Sequence, residues 1–139
     1  MKQLILVATM LLTTIAAAIA QSAPKAVKAA FEQRFASIKN AKWDKENAQE
    51  WEAEFKMDGT KMSASFMPTG DWIETETDIT VAELPAAVAA AIAAKYPKAK
   101  VVGASKIETA KNGLRYEADL KTKRKKQEVL FDANGVFIK

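Results

Sequence analysis

A short alternating pattern near the middle of the chain occurs a second time 65 positions later. Residues 51–55, Trp-Glu-Ala-Glu-Phe, match residues 116–120, Tyr-Glu-Ala-Asp-Leu, and residues 66–73 match residues 131–138 in the same way. Alternation of apolar and polar residues with period two is typical of a β-strand with one dry face and one wet face. The sequence therefore predicts a strand-rich module built by duplication.

A helical pattern precedes each copy of the strands. Apolar residues recur at every fourth position after a proline in both places: Val27, Phe31 and Phe35 follow Pro24, and Val88, Ile92 and Tyr96 follow Pro85. This spacing predicts two helices that each present one apolar stripe. Hairpin turns are indicated by the glycine-containing pairs Asp58-Gly59, Thr69-Gly70 and Asn134-Gly135.

The predicted fold is α+β, with two tandem repeats, residues 21–79 and 80–139, in a single domain. Each repeat is expected to be one helix followed by four antiparallel strands, the last of them at residues 136–139. Because a helix with one apolar stripe must bury that stripe, the repeats are expected to form one antiparallel sheet with both helices on one face. We call the helix-free side of this sheet the open face.

The strand alternation assigns side chains to the two sides of the sheet. The residues expected under the first helix are Trp51, Ala53, Phe55, Met62, Ala64, Phe66, Ile73 and Ile79. Those expected under the second helix are Tyr116, Ala118, Leu120, Val129, Phe131 and Ile138. Trp72 and Phe137 occupy equivalent positions in the two copies and are expected on the open face. A register shift of one residue would instead place both of them inside.

The first 20 residues have the features of a secretory signal peptide. A positive start, Met1-Lys2-Gln3, precedes an apolar run, and Ala18-Ile19-Ala20 then offers small residues to a signal peptidase. Cleavage is expected before Gln21, with the mature protein in the periplasm or outside the cell as a monomer. The formal net charge of +4 is too small to indicate a particular partner, and export argues against nucleic acid.

Two residue types central to catalysis and metal binding do not occur in this sequence. It contains no histidine and no cysteine, which excludes a Ser-His triad, a thiol nucleophile and ordinary zinc or copper sites. The pattern Ser-x-x-Lys occurs at Ser22–Lys25, at the start of the predicted mature chain, where a pocket is hard to build. The interpretation is that the protein has no catalytic residue and no cofactor, and is not an enzyme.

Carboxylates cluster on the strands of the first copy. Glu52 and Glu54 share one face of one strand, and Glu74, Glu76 and Asp78 share one face of another. If those strands are neighbours, five carboxylates converge and offer the oxygen ligands that calcium prefers. The simpler interpretation is a solvated face on which these acids pair with nearby lysines.

Basic residues crowd the turn of the last long hairpin. They are Lys121, Lys123, Arg124, Lys125 and Lys126. Contact with anionic lipid headgroups is one interpretation of this run. A solvated turn whose charges protect a sheet edge from aggregation is the simpler interpretation and the favoured one.

The combined pattern resembles the PepSY-like, beta-lactamase-inhibitor-like family of secreted bacterial proteins. The resemblance is carried by the helix starts at Pro24 and Leu84-Pro85, residues 51–55, residues 70–76, residues 116–120 and the turn at residues 132–137. It implies tandem helix-plus-four-strand units that form a concave antiparallel sheet. It implies no activity, although the inhibitor that gives the family its name uses its concave face against an enzyme.

The leading hypothesis is a secreted, non-catalytic binding module of the cell envelope that is protein-binding or inhibitor-like through its open face. An apolar anchor ringed by charges is a common way to hold a protein partner. The candidate partner-binding residues are Trp72, Phe137, Glu52, Glu54, Glu74, Glu76, Arg115, Glu117, Asp119 and Lys121. The alternative hypothesis is a small-ligand or calcium-binding protein that uses the clustered carboxylates.

Overall fold

Two helices and one seven-stranded antiparallel sheet make up the structure. The computed structural model describes residues 22–139, so the predicted signal peptide, residues 1–20, lies outside the described part of the chain. The elements in order are α1 (Lys25–Arg34), β1 (Lys42–Asn47), β2 (Glu50–Met57), β3 (Thr60–Phe66), β4 (Trp72–Ile79), a 3-10 helix (Val81–Glu83), α2 (Ala86–Lys95), β5 (Lys100–Thr109), β6 (Gly113–Lys121) and β7 (Lys126–Asp132). The strands lie side by side in chain order, which confirms the predicted α+β class.

Both helices lie on the same side of the sheet, as predicted. Val27 and Phe31 of α1 pack on β2 and β3, and Val88 and Ile92 of α2 pack on β5, β6 and β7. Neither helix is long or apolar enough to cross a lipid bilayer. The 3-10 helix before α2 begins at a capping box, in which the Glu83 carboxylate accepts hydrogen bonds from the Thr80 N–H and hydroxyl.

The last predicted strand, residues 136–139, is not a regular strand. It forms one isolated bridge between Phe137 and Phe131, and the Ile138 N–H donates to the Leu130 carbonyl oxygen at 2.7 Å. Four residues after a tight turn are fewer than most strands need to sustain a ladder. The sheet therefore has seven strands instead of the eight that the sequence suggests.

Most of the predicted core residues are buried, and three are not placed as expected. Ile138 is 39% exposed, because the final segment does not pair along its length. Ile73 is only half-buried. Ile79 packs against the cluster under α2 instead of the one under α1, because β4 pairs directly with β5 and brings Ile79 opposite Ala104. The other residues assigned to the helix side are buried.

The core consists of two clusters, one under each helix. Between them the helix side of the sheet is polar: Thr77 lies opposite Lys106, and Thr75 lies opposite Glu108. Each helix therefore buries its stripe against strands of its own half. The backbone ladder between β4 and β5 runs beneath this polar strip and joins the two halves.

Two glycine turns bring the sheet into close contact with the helices. Gly70 and Gly135 have left-handed φ angles of 94° and 82°. A Cβ atom on Gly70 would lie 2.8 Å from the carbonyl oxygen of Ala26 in α1, and one on Gly135 would lie 2.5 Å from that of Ala87 in α2. Glycine is therefore required at both turns for the backbone conformation and for the space.

Replacing Gly135 with alanine should destabilise the fold more than replacing Gly59. Both glycines have left-handed φ angles, 82° and 81°, so alanine at either position costs about 1–2 kcal/mol in backbone strain. At Gly59 nothing lies within 4 Å of the added Cβ, whereas at Gly135 it meets a helix carbonyl. Urea unfolding of both variants measures the difference in stability. Equal unfolding midpoints would show that α2 moves to accommodate the Cβ atom without loss of stability.

Phe66 and Phe131 are expected to be the most costly core positions to empty. Their side chains are 0% and 1% exposed, and they are the largest fully buried side chains in the described residues. Changing either to alanine removes a buried aromatic ring and should lower the free energy of unfolding by about 3–5 kcal/mol. Thermal and urea melts test this. An unchanged melting temperature for Phe66→Ala would show that the site is not part of the packed core.

Candidate functional site

The open face carries rows of side chains contributed by successive strands. Residues directly opposite each other on paired strands point to the same side of the sheet. One row across the sheet is Lys42, Glu54, Ser63, Glu76, Ile107 and Arg115. The row beside it is Asp44, Glu52, Ser65, Glu74 and Thr109. Eight of the ten candidate partner-binding residues are charged, and all eight lie on this face.

The five carboxylates of the first copy do not converge on one site. Strand β3 lies between β2 and β4, so Ser63 separates Glu54 from Glu76 and Ser65 separates Glu52 from Glu74. Two strand spacings put these backbones about 9–10 Å apart. The hypothesis that these five carboxylates form one calcium site is therefore wrong, because their strands are not neighbours.

A different set of acids comes together on the second half of the open face. Glu117 and Asp119 on β6 and Glu128 on β7 have carboxylate oxygens within 4.8 Å of one another. Asp119 lies directly opposite both Gly103 and Glu128, and a Cβ on that glycine would collide with the Asp119 carboxylate. Glu128 was not among the predicted site residues, because only the pairing of β7 with β6 brings it to the other two.

Glu117 is the most perturbed acid on the open face. Its pKa is raised to about 7, chiefly because burial removes the carboxylate from water. The negative charges of Glu76, Glu128 and Asp119 raise the pKa further, and the positive charge of Lys139 lowers it in part. Glu117 therefore exchanges its proton near neutral pH.

Glu74 and Glu52 are perturbed in the same direction. Burial raises the pKa of Glu74 most, followed by the charges of Glu50 and Glu76, while Arg115 and Lys139 oppose the shift. Burial also raises the pKa of Glu52, against a hydrogen bond from Ser63 that lowers it. Both carboxylates therefore hold their protons more tightly than a solvated glutamate does.

Apolar residues lie among these acids on the open face. Ile107 and Leu130 are each only 6% exposed, although they lie on the side away from the helices. Ile107 lies between Glu76 and Arg115, and Leu130 lies directly opposite Glu117. Apolar neighbours exclude water from the adjacent carboxylates, which is the desolvation that raises their pKa.

Trp72 lies on the helix side of the sheet, so its assignment to the open face was wrong. The register between β3 and β4 shifts after Ser65, and Trp72 becomes the partner of Phe66. Its indole N–H donates to the Thr75 hydroxyl at 3.0 Å. The guanidinium carbon of Arg34, in the last turn of α1, lies 3.6 Å from the indole ring centroid, which is a cation–π contact.

Phe137 also lies on the helix side, in an equivalent arrangement. Its ring contacts that of Phe131 with centroids 5.6 Å apart. The ammonium group of Lys95, in the last turn of α2, lies 4.3 Å from the Phe137 ring centroid. Trp72 and Phe137 therefore hold helix ends against the sheet and do not form an anchor on the open face.

A groove of about 580 Å³ lies at one end of the sheet, where three hairpins turn. Its walls include the apolar residues Met67, Trp72 and Ile73 and the charged open-face residues Glu74 and Arg115. Met67 is 38% exposed. This end of the open face therefore combines apolar surface with charge of both signs.

Replacing Glu117 with glutamine should stabilise the protein at pH 8 and have a smaller effect at acidic pH. The folded protein holds the Glu117 proton more tightly than the unfolded chain, so ionisation of this group disfavours the folded state. That cost is absent below the ordinary glutamate pKa and is complete above about 7. Urea unfolding at several pH values measures the difference between parent and variant.

The control for this prediction is Glu32→Gln, which removes an exposed carboxylate from α1. Its effect on unfolding should vary little across the same pH range, because its side chain is exposed to water in the folded protein as it is in the unfolded chain. A pH-independent difference between Glu117→Gln and the parent would contradict the raised pKa.

The family of the chain follows from a match over its larger part. Residues 49–139 match the model of the family described as "Putative beta-lactamase-inhibitor-like, PepSY-like", and the chain belongs to this family. The match includes all of β2 to β7 and α2, and therefore the whole open face apart from β1. No curated protein sequence matches the chain.

Solved structures from Bacteroides species share the fold. A BLIP-like protein from Bacteroides fragilis is 20% identical, with a TM-score of 0.71, and the match covers 86% of this chain and 85% of that one. A DUF2874 family protein from Bacteroides uniformis is 24% identical, with a TM-score of 0.76 over 85% and 88% of the two chains. A Bacteroides eggerthii protein described as "putative periplasmic" is 24% identical, with a TM-score of 0.77 over 86% and 88%. At these identities the similarity establishes the fold alone.

Proposed function

We propose that this protein is an exported, non-catalytic module that binds a basic surface of a protein partner through its open face. The observation that carries the proposal is the group of acids on that face, where burial, reinforced by neighbouring negative charges, raises the pKa values of Glu52, Glu74 and Glu117. The beta-lactamase-inhibitor-like description of the family supports a protein partner. The description of a Bacteroides eggerthii relative as periplasmic supports export.

The physical reason for a basic partner is the charge imbalance on the open face. Ion pairs at its β1–β2 edge join Lys42 to Asp44 at 2.6 Å and to Glu54 at 3.7 Å. Glu76 and Glu117 have no ion pair within 4 Å in the described part of the chain, and the negative charge of Glu76 raises the pKa of Glu117 beyond the effect of burial. Lysine or arginine side chains of a partner would relieve this repulsion and would select the partner by charge.

Apolar contact would come chiefly from the groove end of the same face. Ile107 and Leu130 form the floor between the acids, and Met67 is exposed at the rim of the groove. Binding surfaces commonly combine an apolar centre with a charged rim. We propose that Glu52, Glu54, Glu74, Glu76, Arg115, Glu117, Asp119 and Lys121 contribute that rim. Trp72 and Phe137 support the face from its other side.

A second candidate function is binding of a hard divalent cation such as calcium. It is supported by the proximity of the carboxylates of Glu117, Asp119 and Glu128, since such ions prefer several oxygen ligands. Calcium titration of the purified protein separates the candidates. Saturable calcium uptake that is lost in Glu128→Gln would favour the cation over the protein partner.

We further infer that residues 21–79 and 80–139 are two repeats within one domain. The glycine turns against Ala26 and Ala87 support this inference, because each brings a hairpin against the first turn of the helix in its own half. The cation–π contacts at the two helix ends correspond in the same way.

Neutralising three acids of the open face should abolish capture of the partner. The protein is cross-linked in an envelope extract, and the captured protein is identified and purified. The affinity of this partner is then measured for the parent protein and for a triple variant that combines Glu74→Gln, Glu76→Gln and Glu117→Gln. Because each acid would face a cation of the partner, we expect the affinity to fall by at least about tenfold. The affinity of the parent should be higher at pH 8 than at pH 5.5, since Glu117 loses its proton near pH 7.

The matched control removes three acids from other surfaces of the protein. It combines Glu32→Gln, Asp58→Asn and Glu108→Gln, all at exposed positions. The control should bind the partner as the parent does. Equal loss in the two triple variants would indicate a general effect of net charge, and unchanged binding in both would place the partner elsewhere.

A further inference from the structure

A dense group of cations lies at the end of the sheet opposite the groove. It consists of Lys100 on β5 together with Lys121, Lys123, Arg124, Lys125 and Lys126 on the β6–β7 hairpin, and we call it the basic tip. All six side chains are exposed. None of them has a carboxylate within ion-pair distance among residues 22–139, where the recorded pairs involve Lys42 and Lys106.

Three of these cations form a row in register across three strands. Lys100 lies directly opposite Lys121, and Lys121 lies directly opposite Lys126. Like charges placed opposite each other destabilise a sheet. The fold therefore bears a local electrostatic cost at this end, and an external anion would remove it.

The turn that carries the outermost cations is held in shape by hydrogen bonds. The Thr122 N–H donates to the Lys125 carbonyl oxygen at 2.9 Å. The Thr122 hydroxyl oxygen accepts hydrogen bonds from the N–H groups of Arg124 and Lys125 at 3.3 and 3.2 Å. Lys123, Arg124 and Lys125 are therefore presented together on an ordered turn at the end of the molecule.

Space for anionic groups lies directly beside this turn. A cleft of about 720 Å³ is lined by Lys98, Thr122, Lys123, Arg124 and Lys125. The cleft is open on the solvent side and has cations from two separate segments of the chain on its walls. Several phosphate groups could therefore approach the cations at once.

We propose that the basic tip docks on a membrane surface rich in anionic phospholipids. Lysine predominates in the tip, and lysine acts on phosphate as a hydrated point charge, which suits a diffuse anionic surface. No aromatic side chain is present in the tip to stack on bases, as single-stranded nucleic acid binding requires. The choice of lipid over nucleic acid also rests on the export in the proposed function.

Docking at the tip leaves the acidic end of the open face free. On β6 the tip begins at Lys121, whereas Gly113, next to the Glu74 row, lies at the other end of the strand. Eight residue steps along a strand span roughly 25 Å. The protein could therefore lie against a membrane and present Glu74, Glu76 and the groove away from it.

Vesicle co-sedimentation of the purified secreted protein tests the proposal. The vesicles are phosphatidylcholine with about one third phosphatidylglycerol, and pure phosphatidylcholine vesicles are the comparison. We expect binding to the anionic vesicles alone and a steep loss as salt is raised, because exposed charges are screened. Combined Lys123→Gln, Arg124→Gln and Lys125→Gln should weaken partitioning on the order of a hundredfold.

A matched variant controls for net charge. Combined Lys25→Gln, Lys28→Gln and Lys39→Gln removes three exposed cations around α1 and should bind vesicles nearly as the parent does. Thermal melts establish that both variants are folded. Equal binding of the parent to both kinds of vesicle, or equal loss in the two variants, would overturn the proposal.

Two further outcomes distinguish this proposal from its alternatives. Tighter binding to double-stranded DNA than to the anionic vesicles at the same salt concentration would overturn the lipid assignment. The tip variant should still capture the protein partner, because its changes lie outside the open-face acids. If the tip variant loses vesicle binding but still captures the protein partner, the result supports membrane docking by the basic tip. If the parent protein captures no partner, that result counts only against the proposed function.

Discussion

The antiparallel pairing of β4 with β5 is the interaction on which the rest of the structure depends. Each helix buries its apolar stripe in its own half, and the two clusters are separated by a polar strip on the helix side of the sheet. The β4–β5 ladder bridges that strip from Glu74 opposite Thr109 to Ile79 opposite Ala104. The same ladder brings Glu76 from the first half close enough to Glu117 in the second half to raise its pKa. One set of backbone hydrogen bonds therefore sets both the architecture and the electrostatics of the open face.

The open face and the basic tip show that the fold tolerates charge repulsion in two places. Carboxylates crowd the open face around Glu117, and cations face each other in the row from Lys100 to Lys126. Exchanging some of these residues for neutral ones would relieve the repulsion without disturbing either hydrophobic cluster. Local features that lower stability without a compensating contact commonly mark functional surfaces. The acids of the open face and the cations of the basic tip therefore support the two partners proposed above.

The residues that anchor the helices explain why the expected aromatic anchor does not exist. Trp72 and Phe137 were correctly recognised as equivalent positions, and strand alternation alone puts both of them on the open face. The register shift after Ser65 makes Trp72 the partner of Phe66, and the isolated bridge of Phe137 with Phe131 puts Phe137 on the same side as Phe131. Arg34 and Lys95 then cover the two rings from the helix ends. The charged candidates kept their predicted side because β2, β4 from Glu74 onward and β6 keep their own alternation without an inserted residue.

The sequence by itself determined the α+β class, the two amphipathic helices, the hairpin turns and the side of most strand residues. These depend on local periodicity and on glycine, whose effects act over a few neighbouring residues. Only the tertiary structure decided which strands are neighbours, and so which acids meet. It separated Glu54 from Glu76 by β3, brought Glu128 to Glu117, and gave the last segment a single bridge. These outcomes depend on pairing between residues distant in the chain, where a shift of one position reverses a side chain without changing the local pattern.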